Sequence, residues 1–150
     1  MNMNNKINLF DYDRLMLESY FLDIGEKTFR AHQLLKWIYQ YGVIEFSLMT
    51  NLSKSLRIYL KENTLFKLPE IIDEKKSKDG TKKWLVKVDE QNSIETVFIP
   101  ENDRGTLCIS TQVGCALDCK FCSTAKQGFS RNLTTSEIIG QVWLANKLLG

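Results

Sequence analysis

Apolar residues recur at helical spacing in the first third of the chain and at alternating spacing in the second, and the change falls near Pro69. Leu15, Leu17, Phe21 and Leu22 predict a helix that Asp11 or Asp13 can cap and that stops near Gly25. Ala31, Leu34, Leu35 and Ile38 keep the i, i+3, i+4, i+7 rule and predict a second helix from an N-cap at Thr28. Gly42 stands where a glycine belongs just past a helix end, and Trp37, Tyr39 and Tyr41 widen the apolar surface. Leu52, Leu56, Tyr59 and Leu60 predict a third helix after a cap at Asn51. The three together read as a small helical domain over residues 1–66.

Beyond Pro69 the period becomes two. Asp79-Gly80 is a hairpin signal before the strand Trp84–Val88, and Asp89–Asn92 a second turn before Ile94–Ile99, so residues 67–103 read as a β-meander that Pro100 ends. A polar stretch from Glu101 to Gly105 leads to another strand, Thr106–Thr111, and then to a loop rich in cysteine. Thr134 and Glu137 form the pattern T-x-x-E, a capping box. The helix it opens has Ile138, Ile139, Val142, Trp143, Leu148 and Leu149 as its expected apolar face. Residues 104–150 thus read as one β-α unit. There is no internal repeat and no low-complexity segment.

At 150 residues, 43% hydrophobic and 25% charged, the composition is that of a folded protein. A complete (β/α)8 barrel needs about 250 residues, so any barrel read here is a beginning. A net charge of +2 neither demands nor excludes a nucleic-acid partner. No run approaches the length of a membrane span, and the start lacks a secretion signal, which makes the expected location cytoplasmic.

All four cysteines, Cys108, Cys115, Cys119 and Cys122, lie between residues 108 and 122, a clustering that points to metal or thiol chemistry rather than a disulfide framework. GCALDCKFC sets Cys115, Cys119 and Cys122 at C-x3-C-x2-C spacing. Three thiolates on one [4Fe–4S] cluster leave one iron free to bind a small molecule. That is the pattern of the radical S-adenosylmethionine superfamily, which Phe121 also matches, as apolar shielding of the cluster. Zinc held by all four cysteines is the competing reading, against which stands Cys108, alone in an apparent strand. His32 reads as a packing or surface residue. Aromatic residues interleaved with Arg30, Lys36 and Arg57 suit RNA, and equally suit a core with a solvated face.

A longer stretch is more specific. ETVFIPENDRGTLCISTQVGCALDCKFCSTAKQGFSRNLTTSEIIGQVW resembles the RlmN/Cfr radical S-adenosylmethionine RNA methyltransferases, and within them the RlmN branch. FRAHQLLKWIYQYG is similar to that family's N-terminal helical domain, and DGTKKWL to its accessory strands. The resemblance implies an α/β fold: a small helical domain serving as an RNA-binding accessory, a β-meander adaptor, and the first β-α unit of a radical S-adenosylmethionine partial TIM barrel. It implies methylation of adenine carbon 2 in 23S ribosomal RNA and in tRNA. One S-adenosylmethionine methylates a carrier cysteine, and a second supplies the radical that leads to a covalent RNA–protein adduct.

In this scheme Cys115, Cys119 and Cys122 bind the [4Fe–4S] cluster. Glu95, in IETVFIP, takes the ring proton, and Cys108, in TLCISTQVGC, closes a disulfide with the carrier cysteine. The implied partners are 23S ribosomal RNA, tRNA and an electron donor of flavodoxin type, for a monomeric protein. The family's glycine-rich S-adenosylmethionine segment and its carrier cysteine have no counterpart in these residues, so the resemblance is to the amino-terminal portion. The non-enzymatic alternative is a zinc-stabilised RNA-binding module.

Overall fold

The computed structural model describes residues 6–115 and 128–150. The chain forms two compact units, Met1–Lys67 and Leu68–Gly150.

In the first unit a short strand β1 (Ile7–Asn8) pairs in parallel with β2 (Thr64–Leu65), so the two ends of the unit meet. Between them lie α1 (Arg14–Asp23), α2 (Phe29–Tyr39) and α3 (Lys54–Asn63). Asp13 caps α1, its carboxylate accepting the Met16 N–H at 2.8 Å. The face α1 buries is narrower than its apolar pattern: Leu17 and Phe21 are buried, whereas Leu15 and Leu22 are exposed. Thr28 stands at the start of α2 but makes no capping bond with its side chain.

The third helix corrects an expectation. Its cap is Ser53, whose hydroxyl accepts the Leu56 N–H at 3.2 Å. Asn51 is engaged elsewhere: its side-chain oxygen accepts the Trp37 indole N–H at 2.6 Å, and its carbonyl accepts from Arg30. Leu17, Phe21, Leu34, Ile38, Met49, Leu52 and Leu60 fill the core with Leu9 and Phe10, which belong to a 3-10 turn over Leu9–Asp11.

The second unit is a sheet with one helix on it. β3 (Glu70–Lys76), β4 (Lys82–Lys87), β5 (Ser93–Pro100) and β6 (Gly105–Cys108) form an antiparallel sheet in sequence order. The strand expected over 106–111 is therefore shorter, and it pairs antiparallel with β5. A separate two-stranded ladder joins β7 (Gln112–Gly114) to β8 (Phe129–Asn132). It is followed by α4 (Thr135–Leu149), where the capping box forms as expected: Thr134 accepts from the Glu137 N–H and Glu137 from the Thr134 N–H.

Trp84, Val86, Val88, Ile94, Val113, Leu133 and Ala145 make one hydrophobic cluster, so meander, ladder and α4 share a core. The face α4 buries differs in part from the expected one, of which Ile138 does pack against the core. The buried face carries Ser136, Gly140, Gln141 and Ala145, while Val142, Leu148 and Leu149 are exposed. Close approach decides this: a Cβ on Gly140 would lie 2.5 Å from the Pro69 ring, so the helix seats through small residues.

Candidate active site on the open face of the sheet

Strand alternation sorts β5 cleanly. Ile94 and Thr96 face the core, at 5% and 1% exposure, so Glu95 between them faces out, its side chain 55% exposed. In the β5–β6 register Val97 lies opposite Cys108, which puts the Cys108 thiol on the outward face with Glu95. Two residues further along the same register, the Ser110 hydroxyl donates to the Glu95 carbonyl at 2.8 Å. Glu95 and Cys108 are therefore diagonal neighbours, a relation that separates residues by about 7–8 Å. Cys108 is an exposed free thiol. Lys83, opposite Val97 on the other side, donates to the Glu95 carboxylate at 2.8 Å. An exposed pair of this kind adds only about 0–1 kcal/mol, so it orients the carboxylate more than it stabilises the sheet.

Gln141 holds this face from behind. It is 1% exposed and uses its whole amide. The oxygen accepts from the Thr96 hydroxyl at 2.8 Å and the Ser110 N–H at 2.9 Å. The nitrogen donates to the Ser110 carbonyl at 2.9 Å and the Glu137 carbonyl at 3.1 Å. One side chain of α4 thus fixes the strand behind Glu95 and the backbone just past Cys108.

The same backbone leads to the mouth of the cysteine loop. Gly114 pairs with Phe129, and the Cys115 N–H donates to the Gly128 carbonyl at 3.1 Å, so residues 115 and 128 lie side by side. Gly114 has φ +72°, and a Cβ there would lie 1.7 Å from the Gly128 oxygen; only glycine fits. Arg131, on β8, anchors the far side of the mouth, donating to Asp89 at 2.6 Å and to both carboxylate oxygens of Glu137 at 2.8 and 2.9 Å. The Arg131 guanidinium, then Asn92, hold the Asp89 carboxyl well below the usual carboxylate range. For Glu137 burial works in the opposite direction, but Arg131 and the Thr134 N–H prevail and its pKa is lowered.

Cys115 is half-buried at this mouth. Cys119, Cys122 and Phe121 lie outside the described residues. Among the described residues no group of three His, Cys, Asp or Glu side chains converges as a metal site, and His32 is exposed on α2. Of the three candidate cluster ligands, Cys115 is the one among the described residues; its thiolate chemistry suits iron, and it stands where residues 115 and 128 lie side by side. Reading the residues alone passed over Gln141, Arg131 and Gly114. Gln141 had a signal, a lone amide in the apolar run IIGQVW; Arg131 had none.

Comparison with known proteins assigns the fold. A solved structure described as a radical SAM methyltransferase from Sphaerobacter thermophilus matches 95% of this chain and 42% of that one, with a TM-score of 0.84 and 35% sequence identity. The family described as ribosomal RNA large subunit methyltransferase N-terminal domain matches residues 7–65. The dual-specificity RNA methyltransferase RlmN of Marinobacter nauticus is 55% identical over 142 residues, which are 95% of this chain and 38% of that protein. The fold is that of the first part of a radical S-adenosylmethionine methyltransferase. The chain is similar to RlmN over 95% of its own length, and it spans about two fifths of the length of the relatives it matches.

Proposed function

We propose that this chain forms part of a radical S-adenosylmethionine methyltransferase that methylates adenine carbon 2 in 23S ribosomal RNA and in tRNA. Residues 1–66 act as the RNA-binding accessory, 67–103 as the adaptor, and 104–150 as the start of the radical core. The observation that carries the reading is the placement of Glu95 and Cys108 as diagonal neighbours on one open face, beside the mouth of the cysteine loop on the same chain segment. A carboxylate that takes a proton and a thiol that resolves an adduct must reach the same nucleotide. Cys115, Cys119 and Cys122 would hold a [4Fe–4S] cluster that, when bound, supplies the 5′-deoxyadenosyl radical from S-adenosylmethionine.

This chain's own residues do the rest. Glu95 accepts the ring proton as the general base. Cys108 attacks the sulfur of the carrier cysteine; the sulfur–sulfur bond forms as the carbon–sulfur bond to the RNA breaks. Gln141 keeps the strand behind Glu95 and the backbone after Cys108 in register while this happens.

The test uses a full-length enzyme containing these residues. Cys115→Ala should abolish iron and sulfide uptake, and Cys108→Ala should leave the cluster intact while a covalent RNA band accumulates. Glu95→Gln should slow methylation by roughly 10²–10⁴-fold, the usual worth of a positioned base. Normal turnover by Cys108→Ala with no RNA band overturns its resolving role. Stoichiometric zinc in place of iron and sulfide makes the chain a binding module instead.

A further inference from the structure

Residues 75–83 read Lys-Lys-Ser-Lys-Asp-Gly-Thr-Lys-Lys, five lysines against one aspartate, a local charge of +4 in a chain whose net charge is +2. The fold turns this run back on itself. In the β3–β4 hairpin Lys75 lies directly opposite Lys83, and Lys76 directly opposite Lys82. Like charges opposed across a ladder destabilise the pairing. The acid in the turn gives no relief, because Asp79 spends its carboxylate on the N–H and hydroxyl of Thr81. Lys83 reaches Glu95; among the described residues Lys75, Lys76, Lys78 and Lys82 have no ion-pair partner.

The ordinary explanation for such lysines is protection of a sheet edge against pairing with another chain. It accounts for Lys75 and Lys76, since β3 is an edge strand. Lys82 and Lys83 fall outside it, because β4 is paired on both sides. Two opposed cation pairs at the end of a hairpin, kept at a cost to the hairpin itself, call for an anion from outside. Their position says which one. Lys75, Lys83, Val97 and Cys108 form one rung across all four strands, so the cationic end of the rung points away from the thiol along one open face. At about 4.8 Å per strand, Lys83 lies about 10 Å from Cys108.

We propose that the β3–β4 hairpin is an RNA-backbone grip: Lys75 and Lys83, on the face that carries Cys108 and Glu95, bind phosphates next to the nucleotide that those two residues act on. This rests on the reading of the chain as part of an RNA methyltransferase. The grip is independent of sequence, as phosphate contacts are, which suits an enzyme with more than one RNA substrate.

The test measures binding of the 150-residue chain to a fluorescent structured RNA oligonucleotide by anisotropy, across a salt series. Replacing Lys75 and Lys83 together by Gln should lower affinity at low salt at least fivefold and flatten the slope of log K against log salt by about 1.5, as loss of two phosphate contacts requires. The same two changed to Arg should retain both. Lys67 and Lys147 changed to Gln, an equal loss of charge outside residues 1–66 and outside the hairpin, should move neither by much. Thermal melting separates this from a structural role, since relieving the opposed charges should leave the melting temperature unchanged or raised while binding falls. RNA binding by the double Gln variant with the parental slope overturns the grip and leaves the methyltransferase reading in place. No salt-dependent RNA affinity in the parental chain overturns both. Stronger binding to phosphatidylserine vesicles than to RNA, lost in the same variant, assigns the hairpin to a lipid surface and overturns the proposal.

Discussion

Replacing Gln141 by Met keeps the length of the side chain and removes every polar contact it makes. The Thr96 hydroxyl, 1% exposed, loses its acceptor, and the Ser110 N–H and carbonyl lose theirs. The Glu137 carbonyl is spared, because α4 supplies it with an intrahelical donor. Each buried polar group left unpaired costs about 1–3 kcal/mol. Thr96 should bear that in full and Ser110, only half-buried, in part, so the loss should be about 3 kcal/mol. A domain has only about 5–15 kcal/mol to lose, so the effect is large. Urea unfolding followed through the buried Trp84 reads the total, and amide exchange at Ser110 reads it locally.

Gln141→Glu adds a check of sign. Its carboxylate would sit buried against two carbonyl oxygens, so its folded pKa should be raised. The stability it retains should then be present below about pH 4.3 and lost as the pH rises through the raised value. A loss under about 1 kcal/mol in Gln141→Met, with Ser110 exchange unchanged, would show that the amide fills space and clamps nothing.

Gly114→Ala should cost more than about 3 kcal/mol, since it combines a left-handed backbone with a carbonyl in the way; normal melting and normal iron uptake would refute the closed loop mouth. Asp89 and Glu137 have lowered folded pKa values, so what they contribute is complete above about pH 4 and is lost as the pH falls through those lowered values. Arg131→Met should therefore flatten the acid limb of the second unit's stability profile below about pH 4, and an unchanged acid limb would refute it.

What was legible in the sequence was local. The capping box at Thr134 and Glu137 spans three residues, and the Asp79-Gly80 turn two, so neither waits on tertiary structure. The cap of α3 was misread as Asn51 because Ser53 offers the same capping chemistry two residues on; the Trp37 indole, fourteen residues from Asn51, engages the Asn51 side chain and leaves the cap to Ser53. The buried face of α4 was partly misread because apolar count suggested Val142 and Leu148, whereas the fit of Gly140 against Pro69 and of Gln141 against Ser110 sets the rotation. The strand after Gly105 stops early because the Ser110 backbone bonds to a helix side chain. Glu95 and Cys108 were legible through resemblance alone, since a shared face requires a register and period two within one strand cannot supply it.

The frame of the cysteine loop is built without sulfur. The Gly114–Phe129 pairing, the Cys115 backbone bond to Gly128, the Gln141 clamp and the Arg131 anchor all run through backbone, amide, guanidinium and carboxylate groups. In small zinc domains the metal is the scaffold, and a chelator denatures them. With the proposed cluster as cargo, the scaffold would precede it. Oxygen or a chelator should then strip the cluster and leave a folded apoprotein behind, and damage to the inorganic centre would be a matter of refilling rather than resynthesis.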